Sequence, residues 1–206
     1  MEKKYEMLKN DTIKVGKYRT LYRIVALRNF GDIKAGQLGG YIAQSKNLSH
    51  DGNCWVHYGT IVYDDARVSD DATISGNVQV YGKARIRGCA NISGCVRVHD
   101  YAMICDSANV EGDGEIYEHA TIYNNAKVSG SPKIHGSTKI YGHSKISGNV
   151  DICGHTRIFE RSSVTDNAVV FEHARVHGFS NVSGNAIVRG NADIFGNKKI
   201  NFSIIC

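Results

Sequence analysis

Proline is almost missing: Pro132 is the only one in 206 residues. That excludes Pro-rich linkers and polyproline segments. No apolar run approaches the roughly 18 residues of a membrane-crossing helix. The opening stretch MEKKYEMLKNDTIKV lacks the apolar core of a signal peptide. Charged residues make up 22% and apolar residues 42%, a balance that excludes a disordered chain. The net charge of +5 leans toward anionic partners without naming one. Six cysteines are present, but there is no CxxC and no Cys/His pair at zinc spacing. Neither a disulfide framework nor a metal site is expected, and free thiols fit a reducing compartment. The expectation is a soluble, cytoplasmic protein with no cofactor and no membrane contact.

What the chain has in quantity is glycine, with 22 residues, and a period. Counted in sixes from Cys54 it runs CWVHYG, TIVYDD, ARVSDD, ATISGN and onward to ADIFGN, which ends at Asn197. These 144 positions hold 24 hexads with no insertion or deletion. The third residue of every hexad is Val or Ile, and the first is mostly small, as at Ala66, Ala84, Ala120 and Ser162. Positions one and three therefore face inward with an outward residue between them, the two-residue period of a strand. An α-helix cannot keep a six-residue period, because its turn holds 3.6 residues. The fifth position turns a corner. Gly and Asn adopt the left-handed backbone needed there, whereas Glu118, Glu160 and Glu172 are expected to fit it poorly.

A longer period lies over the first. ISG or VSG recurs at 74, 92, 128, 146 and 182, so three hexads make one coil of 18 residues with three distinct faces. Residues 54–197 then give about eight triangular coils, a prism about 38 Å long at strand spacing. This repeat resembles that of the hexapeptide-repeat, left-handed parallel β-helix proteins. The resemblance implies an all-β solenoid and supplies the left hand. It does not choose a function, because that fold hosts acyltransferases, carbonic anhydrases and non-enzymes.

Residues 1–53 do not follow the six-residue frame. KYRTLYRIVALRNF (17–30) reads as a strand. The Gly-rich stretch after it holds Gly31, Gly36, Gly39 and Gly40 but no GxGxxG and no Walker lysine, so no phosphate loop is expected. Open coils would expose unpaired edges, so 1–53 is expected to form an N-terminal β cap and 198–206 a C-terminal cap. FGDIKAGQLGGYI followed by NLSHDGNCWV resembles the opening of hexapeptide-repeat proteins of bacteria, prophages and phages. That resemblance implies a mobile-element origin.

The outward fourth positions sort by face. Face one (His57, Ser75, Ser93 and onward) is small and polar, and Asn77, Asn149, Asn167 and Asn185 beside it are expected to form an amide ladder. Face two reads Tyr63, Tyr81, His99, Tyr117, His135, Cys153, Phe171 and Arg189. It is expected to be an aromatic and imidazole column, with His119, His155 and His173 at its corner. Val169, Phe171 and Ile187 would make an exposed apolar patch near its end. An oligomer interface, dimer or trimer, is placed on this face at Tyr81, His99, Tyr117, His135, Val169, Phe171 and Ile187. Face three carries Arg67, Arg85, Arg87, Tyr123, Lys139, Tyr141, Arg157, Phe159, Arg175 and Phe195, a cationic stripe with aromatics. It is the expected partner-binding face.

Three functions remain open at this point. The first is a non-catalytic binding scaffold that associates with itself and with a host protein or ribonucleoprotein; a phage origin would extend this to inhibition of a host defence complex, as anti-CRISPR proteins do. The second is an acyltransferase acting at a subunit interface, with His99, His135 or His155 as base but no carboxylate assignable to orient it. The third is a nucleic-acid or nucleotide binder on face three, holding phosphates by charge and bases by stacking.

Overall fold

A computed structural model describes residues 3–206. Among them there is no α-helix, and no helix is long and apolar enough to cross a membrane. The third position of each hexad is buried, as at Ile74, Ile116, Ile152 and Val188, each with no exposed surface. So is the first, as at Ala66, Ala102 and Ala168. Positions two and three form a two-residue strand, such as Thr121–Ile122 or Arg157–Ile158. Residues 18 apart pair in parallel register, and three ladders result. The protein is a parallel β-solenoid. Its core is three files of branched aliphatics, one from each ladder, each side chain worth about 1.5–3 kcal/mol of burial.

Where the first position is polar, a local bond satisfies it. The hydroxyls of Thr138, Thr156 and Ser180 donate to the carbonyls of His135, Cys153 and His177, each at 2.7 Å. Most first-position Ser and Thr thus enter the core with a partnered hydroxyl, and the buried Ser144 hydroxyl is the exception.

The corners correct one expectation. Glu118, Glu160 and Glu172 do adopt left-handed backbone, with φ of 55°, 59° and 61°. The carboxylates of Glu118, Glu160 and Glu172 accept from the amides of Gly136, Gly178 and Gly190, one coil on, at 2.7, 2.8 and 2.6 Å. A charge-assisted bond offsets a backbone cost of about 1–2 kcal/mol.

The solenoid is also longer than the frame from Cys54 to Asn197. One ladder has nine strands, which gives about nine coils rather than eight. At the N-terminus, strand β3 (Leu38–Ile42) pairs in parallel with Ile61–Val62, and Leu48 bridges Val68. Both are offset by 20 residues instead of 18. The hexad code therefore continues into GYI (40–42), and two extra residues at the corner around Ser49–Asn53 shift its phase. At the C-terminus Lys199–Asn201 and Ile204–Ile205 extend two ladders, with Ile204 paired to Ile187 only 17 residues back. Backbone pairing survives such slips, whereas a fixed count of six does not.

The cap proper is an antiparallel hairpin, β1 (Tyr5–Val15) and β2 (Arg19–Ala26), laid on β3. The coil-to-coil amide bonds that flank the two-residue strands run from the N–H of one coil to the carbonyl of the next, as from Trp55 to Ala72 and from Thr73 to Ala90. The first coil is thus left with carbonyls facing the N-terminal mouth. Lys4, fully buried, fills that mouth. Its Nζ donates to the carbonyls of Gly52 at 3.2 Å and Cys54 at 3.0 Å, beside the Cys54 thiol at 3.3 Å and 5.0 Å from the Phe30 ring centre.

Candidate functional site

The parallel register places like residues over like. Arg67 and Arg85 are direct partners on adjacent coils, and Lys139, Arg157 and Arg175 occupy three successive rungs farther along face three. Arg67, Arg85 and Arg87 line a cleft of about 730 Å³ together with Lys46, His50 and the serines Ser45, Ser49 and Ser69. Among the described residues no carboxylate lines it. Its far wall is the chain from Ser45 to His50, held by Asn47, whose buried amide donates to the carbonyls of Asp64 (3.0 Å) and Ala66 (2.8 Å). Sequence reasoning found the arginines and missed this wall, because Lys46 and His50 lie outside the six-residue frame. Lys46 is partly neutralised: Asp65 sits 2.6 Å from its Nζ, and that contact holds the Asp65 carboxyl below its usual range. Burial and the nearby lysine charges push His50 down, toward the neutral imidazole.

A second recess of about 300 Å³ on the same face is lined by Arg87, Cys105, Asp106, Tyr123 and Lys139. It links the cleft to the aromatic column. Cys105, at an outward fourth position of the hexad frame, is nonetheless buried to 4% exposure, flanked by the side chains of Arg87 and Tyr123 on the coils to either side. Its burial pushes the thiol pKa up.

The column itself runs Tyr123, Tyr141, Phe159, His177, Phe195, with ring centres 4.8, 5.0, 4.6 and 5.9 Å apart. This bears on the expected stacking of bases. The rings lie face to face on one another at 3–12° for the first two contacts, so their π-faces are occupied. Edges remain at the surface, and Phe195 is 52% exposed at the column's end. The face offers charge along its length, but stacking positions are taken within the column, and at that end Lys198 Nζ lies over the Phe195 ring, 4.6 Å from its centre.

Face two forms the second column. Tyr63, Tyr81, His99, Tyr117 and His135 stack with centres 5.0, 4.7, 5.2 and 4.7 Å apart. At the corner His155 stacks on His173 at 5.1 Å as expected, while His119 stacks on Tyr101. Val169, Phe171 and Ile187 are half-buried rather than an exposed patch. Val169 and Ile187 are in register, and the row continues to Ile204, which is 64% exposed. On face one no hydrogen bond joins Asn149, Asn167 and Asn185 among the described residues; the amide pair that forms is Asn91 to Asn109, at 3.1 Å.

Carboxylate partners for the column histidines, unassignable from the sequence, are plain in three dimensions. His99 Nε2 lies 3.2 Å from Glu115, His135 Nε2 lies 3.2 Å from Asp151, and His177 Nε2 lies 2.9 Å from Asp193. Each acid is 16 residues after its histidine, at the second position of the next coil. That spacing could have found all three. The two face-three recesses lie away from His99 and His135.

No family model matches the chain, and no curated protein matches it significantly.

Proposed function

We propose that the chain is a non-catalytic binding scaffold that presents face three to an anionic macromolecular partner. The observation that carries this reading is the cleft of Arg67, Arg85 and Arg87, cationic and without a lining carboxylate among the described residues. Unpaired guanidinium groups so close repel one another, and an external anion relieves that repulsion. A rigid prism suits display of a long face better than closure around a small substrate. The Tyr123–Tyr141–Phe159 column stiffens the face beside the Lys139, Arg157 and Arg175 row. Self-association through face two belongs to the same reading, as does kinship with phage hexapeptide-repeat proteins on the strength of FGDIKAGQLGGYI. Pull-down from host lysate with the wild type and with Arg67→Glu/Arg85→Glu/Arg87→Glu tests it. A salt-sensitive partner lost in the variant supports the cleft, and equal retention by both refutes it. Nuclease treatment of the captured material separates a nucleic-acid partner from an acidic protein.

One observation favours a second reading. His99 with Glu115 and His135 with Asp151 have the geometry of an imidazole base oriented by a carboxylate. An acyltransferase would use such a pair where a neighbouring subunit closed a pocket over face two. Calorimetry with acetyl-CoA decides it: no heat removes this reading.

A further inference from the structure

We propose that His135, Asp151 and Cys153 form a zinc-binding site on face two. The inference is independent of the cleft and of the partner it takes. The stacked column that begins at Tyr63 ends at His135, because Cys153 occupies the next outward position where an aromatic ring would otherwise sit. Asp151 points from the same face two residues earlier. A ring nitrogen, a carboxylate oxygen and the Sγ of the three residues all lie within 4.8 Å of one another, and His135 Nε2 is 3.2 Å from Asp151 Oδ1. A tetrahedral zinc with bonds of about 2.0–2.3 Å sets its ligand atoms about 3.3–3.7 Å apart. The nitrogen–oxygen pair is already near that spacing, and a rotation of the thiol supplies the rest.

The surroundings fit. The other ring nitrogen of His135, Nδ1, faces Glu118 Oε2 at 3.8 Å, and Glu118 is itself fixed by the Gly136 amide at 2.7 Å. An imidazole whose Nδ1–H points at a carboxylate offers its Nε2 lone pair to a metal. Lys133 is the register neighbour of Asp151 but makes no ion pair with it among the described residues. A thiol must give up its proton to bind zinc, so loading releases a proton and strengthens as pH rises. Imidazole, carboxylate and thiolate together suit zinc rather than magnesium or calcium, and leave the fourth position to water.

The repeat supplies its own controls. His99 with Glu115 and His177 with Asp193 reproduce the imidazole and the acid, but the following column residues are Tyr117 and Phe195. Each offers two ligands, and only the His135 coil adds sulfur. The test is equilibrium dialysis of the full chain against zinc chloride, with metal analysis, and cobalt(II) as an optical probe. One zinc per chain is expected, with a cobalt–thiolate charge-transfer band. Cys153→Ser and His135→Asn should each weaken binding by about 10–100-fold and Cys153→Ser should abolish the band. His99→Asn and Cys89→Ser should leave both unchanged. A wild-type chain that takes up no stoichiometric zinc, or a Cys153→Ser chain that keeps the band and the affinity, overturns the site. Circular dichroism on each variant confirms that the outward substitutions leave the solenoid folded.

Discussion

Arg67 and Arg85 face each other directly across adjacent rungs of a parallel ladder, and neither forms an ion pair with a carboxylate among the described residues. Like charges directly opposite one another weaken a sheet, by about 0.2–1 kcal/mol. A pair that costs stability and neutralises nothing within the chain points outward for its purpose. Arg67→Gln is therefore expected to stabilise the fold by about 0.5 kcal/mol while weakening partner retention. Urea unfolding beside the pull-down checks both halves. A destabilised Arg67→Gln with partner retention intact would assign the pair a structural role instead.

The N-terminal wall of the cleft should loosen in mild acid. His50 stacks on Tyr5 with ring centres 4.3 Å apart, and its Nδ1 accepts from the Lys4 amide at 3.2 Å. Both contacts use the neutral ring, and burial followed by the Lys4 and Lys3 charges lowers its pKa from 6.5. His57 is lowered by burial as well. The unfolded chain then holds more protons than the folded one below about pH 6.5, so this stability is present above that pH and lost as pH falls through the depressed folded value. Thermal midpoints should drop between about pH 7.5 and about pH 5.5, and His50→Gln, which keeps an acceptor for the Lys4 amide, should shrink that drop. An unchanged pH profile in His50→Gln would show that this ring does not titrate with unfolding.

The repeat was legible because its constraint is steric and local in count. Ile116 and Ile152 line the tube for the same reason, and position in the hexad alone locates both. What stayed hidden depended on a neighbour one coil away, or on a broken count. Glu118 turns a corner because the Gly136 amide lies under its carboxylate, a relation of 18 residues that propensity for one residue does not contain. His135 meets Asp151 at a spacing of 16, which becomes meaningful only once coils are stacked in register. Lys46 and His50 were out of reach because the two-residue slip after Leu48 removed them from the frame that placed Arg67 and Arg85.

Gly114 breaks the rule of a side chain at the first position, and Pro132 explains it. A Cβ on Gly114 would lie 2.9 Å from Pro132 Cδ, one coil on. The proline ring fills the space a methyl group would take. Gly114→Ala is expected to cost about 1–3 kcal/mol by overpacking, although alanine is the commonest residue at equivalent positions. Pro132→Ala should recover most of that loss in the double variant, since the two share one cavity. Additive losses in urea unfolding would place the strain elsewhere.

Lys4 makes the sharpest demand on the cap. Its ammonium group is the donor that meets carbonyls of the first coil, at Gly52 and Cys54, where no earlier coil supplies an N–H. Lys4→Met keeps the length of the side chain and removes every donor, leaving buried carbonyls unmatched at a cost of about 2–4 kcal/mol. Stacked coils contact only their neighbours, so the loss should stay local. Hydrogen exchange should accelerate in β1, β2 and the first coil, while the amides around Ile152 keep their protection. If Lys4→Met exchanges as slowly as the wild type at the hairpin, the mouth of the tube is closed by Trp55, Phe30 and Tyr5 packing alone, whose rings already meet edge-on at 5.5 and 6.4 Å.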